Sequence, residues 1–205
     1  PPNAEIKKKE IPQPIGSVIH GTLLGDGSVN YKGIMRISHG EKQLEYLRWK
    51  QAKLDWLALP EIKKRDSSGE GPYSKLPTYS FATHSHPYLK DLRKQLFSNG
   101  YKTVTPLINS AFWDSMALAI WYMDDGSLNK SSGVVTLATN GFNTDDVHAL
   151  RDKLVERFGI VSVDEPRRNG TLALRINKTQ TPHFFETIMA GLDIPESMRY
   201  KFPSQ

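Results

Sequence analysis

Cysteine is absent from the 205 residues, which excludes disulfides and thiolate-held zinc and fits a reducing compartment. Long apolar runs are absent too: none approaches the roughly 18 residues of a membrane-spanning helix. The N-terminus lacks the charged-then-apolar layout of a signal peptide, so no membrane partner is expected. Acidic residues are the minority, 22 against 27 Lys and Arg. The net charge of +5 and a sequence pI near 9.3 tilt the chain toward an anionic partner, nucleic acid among others. With 38% apolar residues, it can bury the core of one domain or of two small ones.

What is present is a stretch that occurs twice. Ile19-His20-Gly21-Thr22-Leu23-Leu24-Gly25-Asp26-Gly27-Ser28 returns as Leu118-Ala119-Ile120-Trp121-Tyr122-Met123-Asp124-Asp125-Gly126-Ser127. Asp125 follows Asp26 by 125 − 26 = 99 residues, close to half the chain, so two fused copies of one unit are expected. Such a run can be a buried strand, and Asp-Gly between apolar runs is also a hairpin signal. The helical reading rests on Asn109 or Ser110 as an N-cap ahead of the second run, and on the glycine after each aspartate as a C-cap with positive φ. Each aspartate then lies at the negative end of its helix dipole, where a carboxylate calls for a cation. Gly21 and Gly25 leave a shallow stripe that lets a second helix approach closely. Two aspartates brought together in this way invite a divalent metal.

Residues Pro1 to Pro14, with Lys7, Lys8 and Lys9 among four prolines, read as an extended arm or a solvated end. After the first run, Ser28 to His39 reads as a hairpin turning at Lys32-Gly33. Glu41 to Leu59 reads as an amphipathic helix, with apolar residues at 44, 47, 54, 57 and 58. Lys63-Lys64-Arg65 and Asp66 to Ser74 read as a polar, Gly-rich loop, Thr78 to Thr83 as a strand, and Ser85 as the cap of a helix running to Phe97. The second half repeats the order: strand Val134 to Thr139, a helix capped by Asn143 and ending at Gly159, strands Ile160 to Asp164 and Thr171 to Ile176, and a helix opened by Pro182. Lys102 and Lys201 each lie 76 residues after their aspartate (102 − 26; 201 − 125), which makes them counterparts. His84-Ser85-His86 beside a helix cap, with no carboxylate close in sequence, reads as structural, and His20 as a satisfied interface residue.

The two runs resemble the signature helices of the LAGLIDADG homing endonucleases, and LLGDGS with LAIWYMDDGS is similar to the single-chain, two-motif branch of that family. The resemblance covers about Ile15 to the C-terminus. It implies an α+β fold of two pseudo-symmetric αββαββα halves, with the LAGLIDADG helices packed at the centre and a saddle of two four-stranded antiparallel sheets. The expected division is a basic tail over 1–14 and halves over 15–107 and 108–205. It further implies a monomeric, site-specific double-strand DNA endonuclease that needs Mg²⁺, for which Mn²⁺ or Ca²⁺ can substitute in binding, and leaves short 3′ overhangs. On this reading Asp26 and Asp125, with the adjoining Gly25 and Asp124, hold the metal. Lys102 and Lys201 support the developing phosphorane charge or polarise the water, and His39 and Asn140 are the polar partners after the second strand of each half.

The second run departs from the family pattern at Ile120, opposite Gly21, and at Asp124, opposite Gly25, so packing there must adjust through Ala117 and Ala119. Asp124, one position round the helix from Asp125, points about 100° away and reads as a capping or salt-bridge residue. Strand alternation nominates Asn30, Lys32, Arg36, Ser38, Lys75, Tyr79, Thr83, Lys130, Thr136, Arg167, Arg168, Asn169 and Arg175 for DNA contact, subject to a slip of one residue that would turn a strand's side chains to the other face. Two other functions share the fold: an RNA maturase gripping its intron, and a DNA-binding protein without catalysis. The expected setting is a reducing intracellular compartment that contains DNA, either bacterial cytoplasm or an organelle.

Overall fold

The computed structural model describes residues 2–66, 76–98 and 100–203. A short helix α1 (Pro2–Ile6) precedes α2 (Gln13–Leu24), which carries the first apolar run. Strands β1 (Ser28–Val29) and β2 (Met35–Gly40) follow, then α3 (Leu44–Lys53), β3 (Lys63–Arg65), β4 (Thr78–Ala82), α4 (Pro87–Leu96) and the single turn α5 (Thr105–Ile108). The second half runs α6 (Ser115–Asp125), β5 (Gly126–Asn129), β6 (Val134–Leu137), α7 (Thr144–Phe158), β7 (Val163–Pro166), β8 (Leu172–Ile176) and α8 (Thr181–Met189). Two four-stranded antiparallel sheets result, ordered β1-β2-β4-β3 and β5-β6-β8-β7. The same order in both is the fold-level signature of the repeat.

Alternation explains which face each sheet buries. In β2, Met35, Ile37 and His39 point into the core while Arg36 and Ser38 stay exposed. In β6, Val135 and Leu137 are buried. At the hairpin turns, the side-chain carbonyl of Asn30 accepts from Lys32 and Ile34 backbone N–H groups, and that of Asn129 from Ser131 and Ser132. Gly33 (φ 70°) and Gly133 (φ 69°) supply the left-handed residue each turn needs.

Several expectations need correction. The N-terminal segment is not an extended arm: residues 2–6 are helical, and Lys9 is held by its carbonyl on His86 Nε2 (3.0 Å) and by its ammonium 5.0 Å from the Trp56 ring. The N-cap of α6 is Asp114, whose carboxylate accepts from Ala117 N–H, rather than Asn109 or Ser110; α5 intervenes and takes Asn109 as its own C-cap. Neither signature helix ends on a left-handed glycine. Gly25 (φ −95°) closes α2, so Asp26 lies just beyond the helix, whereas Asp125 is the last residue of α6 before Gly126 (φ −89°). Glu41 to Leu59 is a short 3₁₀ turn, α3 and a second 3₁₀ turn, broken at Asp55 with φ 46°. Lys63-Lys64-Arg65 is the edge strand β3; fully exposed and charged, it carries no apolar alternation for a sequence reading to detect. The loop expected over Asp66 to Ser74 lies, apart from Asp66, outside the described residues.

Candidate active site

α2 and α6 run side by side with their carboxyl ends together. Their amino ends are tied by Asp114, which accepts from Ser17 Oγ (2.6 Å) and Gln13 Nε2 (2.9 Å). Midway, a Cβ on Gly21 would lie 2.4 Å from the Ala117 carbonyl oxygen and 2.8 Å from Ile120 Cβ; at the carboxyl end, one on Gly25 would lie 2.4 Å from Asp124 Cβ. The two glycines are therefore what permits the approach, with the Ala117 main chain and the Ile120 side chain filling the space beside Gly21. His20 is satisfied within this packing, donating from Nδ1 to the Leu107 carbonyl and accepting at Nε2 from Tyr88 Oη. Burial holds its pKa down at about 4.

Parallel helices bring two negative dipole ends together, and the chain adds three carboxylates there. Three ammonium groups answer them, one buried and two half-buried. Lys102 Nζ donates to the Leu23 carbonyl (2.7 Å) at the end of α2; Lys201 Nζ donates to the Met123 (2.5 Å) and Asp124 (3.0 Å) carbonyls at the end of α6. The matching positions, 76 residues after each aspartate, thus perform matching tasks. Burial lowers the pKa of both lysines, while the aspartates pull it back up. Lys50, wholly buried, lies 2.7 Å from both oxygens of Asp124, which also accepts from Tyr46 Oη (2.9 Å) and from the backbone N–H of Asp26 (3.2 Å). The salt-bridge role read for Asp124 is what the geometry gives it.

Asp26 and Asp125 stand apart from this pairing. Burial, then Asp124, raises the pKa of Asp26; burial, then Asp26 itself, raises that of Asp125 to about 6. Among the described residues, the one ion-pair partner within 4 Å of Asp26 is His39 Nδ1 (3.5 Å), and Asp125 has none. Two carboxylates that repel one another and lack close donors have oxygens free to hold a divalent cation. His39, Asp26 and Asp124 also place one potential ligand atom each within 4.8 Å of one another, but both Asp124 oxygens are occupied by Lys50, so Asp124 is a weak ligand. His39 is kept near a pKa of about 4 by burial and by Lys50, so its ring is neutral. Asn140 is exposed in the turn after β6; strand register puts Thr139 opposite His39, because Ser28 pairs with Arg36 and Ser127 with Thr136. Thr139 Oγ1 is spent on the Leu172 carbonyl.

Each aspartate is followed within two residues by the first strand of its sheet, so both sheets spread from the carboxylate pair. Arg36 and Ser38 lie on the open face of the first sheet, across from Ala82 and Ser80. Thr136 and Arg175 face each other on the second. Asn30, Lys32, Lys130, Arg167, Arg168 and Asn169 are exposed at hairpin ends, Arg167 in an ion pair with Glu165 (2.9 Å). Tyr79 and Thr83 are corrected: Tyr79 pairs with His39 and hydrogen-bonds Glu41, and Thr83 is buried, accepting from Met35 N–H. The one-residue slip applies to β4, whose open face is Thr78, Ser80 and Ala82. Lys75 lies outside the described residues. Sequence reading missed Lys50 and Tyr46 as site residues; the available signal was a charged residue at 50 in phase with Leu47 and Leu54.

The pattern of the LAGLIDADG DNA endonuclease family matches residues 16–184. Protein RecA of Mycobacterium shimoidei is 29% identical over 203 residues, covering 90% of this chain and 45% of RecA. The uncharacterized protein MJ1098 of Methanocaldococcus jannaschii is 28% identical over 198 residues (93% and 74%), and the cytochrome b mRNA maturase bI2 of Debaryomyces hansenii 30% over 155 (71% and 57%). The chain thus spans about half the length of its RecA relative. Among solved structures, the homing endonuclease I-WcaI bound to its DNA recognition sequence superposes with a TM-score of 0.80 at 20% identity, covering 98% of this chain and 92% of that one. I-DmoI in complex with DNA and Ca gives 0.57 at 16% (93% and 98%). These likenesses establish the fold, and with the pattern match over most of its length the chain belongs to the LAGLIDADG DNA endonuclease family.

Proposed function

We propose that the chain is a monomeric, site-specific DNA endonuclease that hydrolyses both strands of a long duplex target with a divalent metal and leaves short 3′ overhangs. The observation that carries this reading is the meeting of Asp26 and Asp125 at the ends of α2 and α6, each raised in pKa and each short of protein donors. Mg²⁺ held there would supply an activated water and neutralise the leaving oxygen, and Mn²⁺ or Ca²⁺ would serve for binding. The donor set fits in its chemistry: two carboxylates are hard oxygen ligands, and the Gly25 main-chain oxygen, next to Asp26 in the chain, would be a third. The chain's own residues do the remaining work. Lys102 and Lys201 neutralise the helix ends beneath the carboxylates and stand ready to stabilise charge on a phosphate. Two sites related by a pseudo-twofold suit two antiparallel strands, and the open faces carrying Arg36, Ser38, Thr136 and Arg175 suit a major groove.

The I-WcaI and I-DmoI structures, both with DNA, support a duplex partner. Among the described residues no helix is long and apolar enough to cross a membrane. Halves over 15–107 and 108–205, and a reducing, DNA-containing compartment, complete the proposal. The maturase relative favours a second reading, in which the same chain grips intron RNA.

The test is cleavage of a randomised duplex library with Mg²⁺ by the intact protein and by Asp26→Asn and Asp125→Asn. Double-strand breaks that each substitution abolishes or greatly slows on at least one strand, with binding kept, support the nuclease. Tight binding of DNA or intron RNA with no cutting under any divalent ion removes it and leaves the maturase or a binding protein.

A further inference from the structure

Among the described residues, the hydrogen-bonded cluster around Asp124 serves one half of the site only. The side chain of Asp124, contributed by the second half, is completely buried, as is that of Lys50 from the first. Its carboxylate accepts from Lys50 Nζ on both oxygens, from Tyr46 Oη and from the backbone N–H of Asp26, and the same Lys50 Nζ lies 3.4 Å from His39 Nε2. His39 in turn places its other ring nitrogen 3.5 Å from the Asp26 carboxylate. Asp26 is therefore held from two sides, main chain and side chain, by one cluster. Among the described residues nothing equivalent stands beside Asp125. Under the 99-residue repeat, the counterpart of Asp124 is Gly25, which has no side chain. The buried faces of α3 (Tyr46, Leu47, Lys50, then Leu54) and α7 (Asp146, Val147, Leu150, Leu154) match at an offset of 100, so the counterpart of Lys50 is the aliphatic Leu150.

A buried ion pair is poor evidence of stabilisation, because well-packed apolar residues of similar size commonly do as well. Leu150 shows that an apolar residue suits this place in the fold. We propose that Lys50 and Asp124 are positioning residues for Asp26 alone, so that the two strands of the target are cut by unequal sites. Lys50 locks Asp124 and donates to the His39 ring at Nε2 (3.4 Å), Asp124 holds the Asp26 main chain, and among the described residues Asp125 takes its place without such support. Lys50 also keeps Asp124 from serving as a ligand. This deepens the nuclease reading and rests on it.

The experiment resolves the cutting of each strand with a doubly end-labelled duplex target and Mg²⁺. Lys50→Met, and the charge-free pair Lys50→Met with Asp124→Ala, should slow the strand that depends more on Asp26, as marked by Asp26→Asn, by about 10- to 100-fold. The other strand should change by less than about threefold, within the scatter expected of an unperturbed site. The pair guards against misfolding, since Tyr46 Oη keeps the Ile120 carbonyl at 3.3 Å. A role limited to stability would slow both strands alike, and equal slowing overturns the proposal. Hydrogen exchange on the metal-free protein reads the same positioning without cleavage. In the paired variant the Asp26 amide should lose protection by at least about tenfold while amides 126–128 stay unchanged; unaltered protection at Asp26 also overturns it. Failure of the intact protein to cut any DNA would instead remove the nuclease reading, while the exchange result would still decide whether Asp124 holds Asp26.

Discussion

The two halves agree in backbone and disagree in the interior of the site. Strand order, the hairpin asparagines Asn30 and Asn129, and the helix-capping lysines Lys102 and Lys201 all repeat. Gly21 against Ile120, Gly25 against Asp124, Lys50 against Leu150 and His39 against Thr139 do not. Repetition persists where a chain must turn or a helix end must be neutralised. It breaks where the two copies touch, because identical surfaces meeting at an axis cannot both be bulky: Ile120 needs the space that Gly21 leaves.

The largest expected effect tests that complementarity. Gly21→Val would push a methyl-bearing carbon toward the Ala117 carbonyl, a backbone atom that cannot swing away. A loss of about 3 kcal/mol is expected, lowering Tm by roughly 6–12 °C in a chain of this size. Ile120→Val, at the facing counterpart, should cost only about 1 kcal/mol. Equal effects at the two positions would mean the helices tolerate either residue on either side.

Next come the sheets, where the arginine changes strand between halves: Arg36 faces Ala82, whereas Thr136 faces Arg175. Arg36→Ala and Arg175→Ala should each weaken duplex binding by about 1–3 kcal/mol in an anisotropy titration, as expected for a base contact. Loss at only one would show that the halves read DNA unequally.

The third contrast is electrostatic. Asp125 has its pKa raised to about 6 against an ordinary 3.8, so the folded state keeps a proton that the unfolded chain releases, and stability falls as pH rises between those values. Asp125→Asn should therefore stabilise the metal-free protein above pH 6. Because the group is partly exposed, a gain of about 1 kcal/mol is expected, or roughly 2–4 °C in Tm, fading toward pH 4. Asp26, also raised by burial and by Asp124, should gain in the same direction when changed to Asn. Mg²⁺ should stabilise the intact protein and not Asp125→Asn. Smallest of all, Tyr79→Phe should leave duplex binding within about 0.5 kcal/mol, since Tyr79 lies on the covered side of β4.

Much of this was legible in the sequence because it repeats. The paired Asp-Gly-Ser runs located both carboxylates, equal offsets located both lysines, and the Gly21–Gly25 stripe announced the close helix contact. The features that escaped are those that depend on a partner distant in the chain. Lys50 reads as one more polar residue on a helix until Asp124, 74 residues away, is seen to neutralise it. β3 has no apolar pattern because its side chains face solvent and its place in the sheet comes from hydrogen bonds to β4. Tyr79 and Thr83 were assigned to the wrong face because β4 is only half-buried, and a half-buried strand marks its parity weakly.

The Lys50–Asp124 pair also bears on how such proteins can be recombined. One member comes from each half, and each is a buried charge that is tolerable only while the other is present. A chimaera joining the first half of this chain to the second half of a relative would strand Lys50 in an apolar core unless the incoming helix brought an acidic residue at position 124. The two halves are repeats in shape but are no longer interchangeable parts, and any exchange of half-sites has to move both residues together.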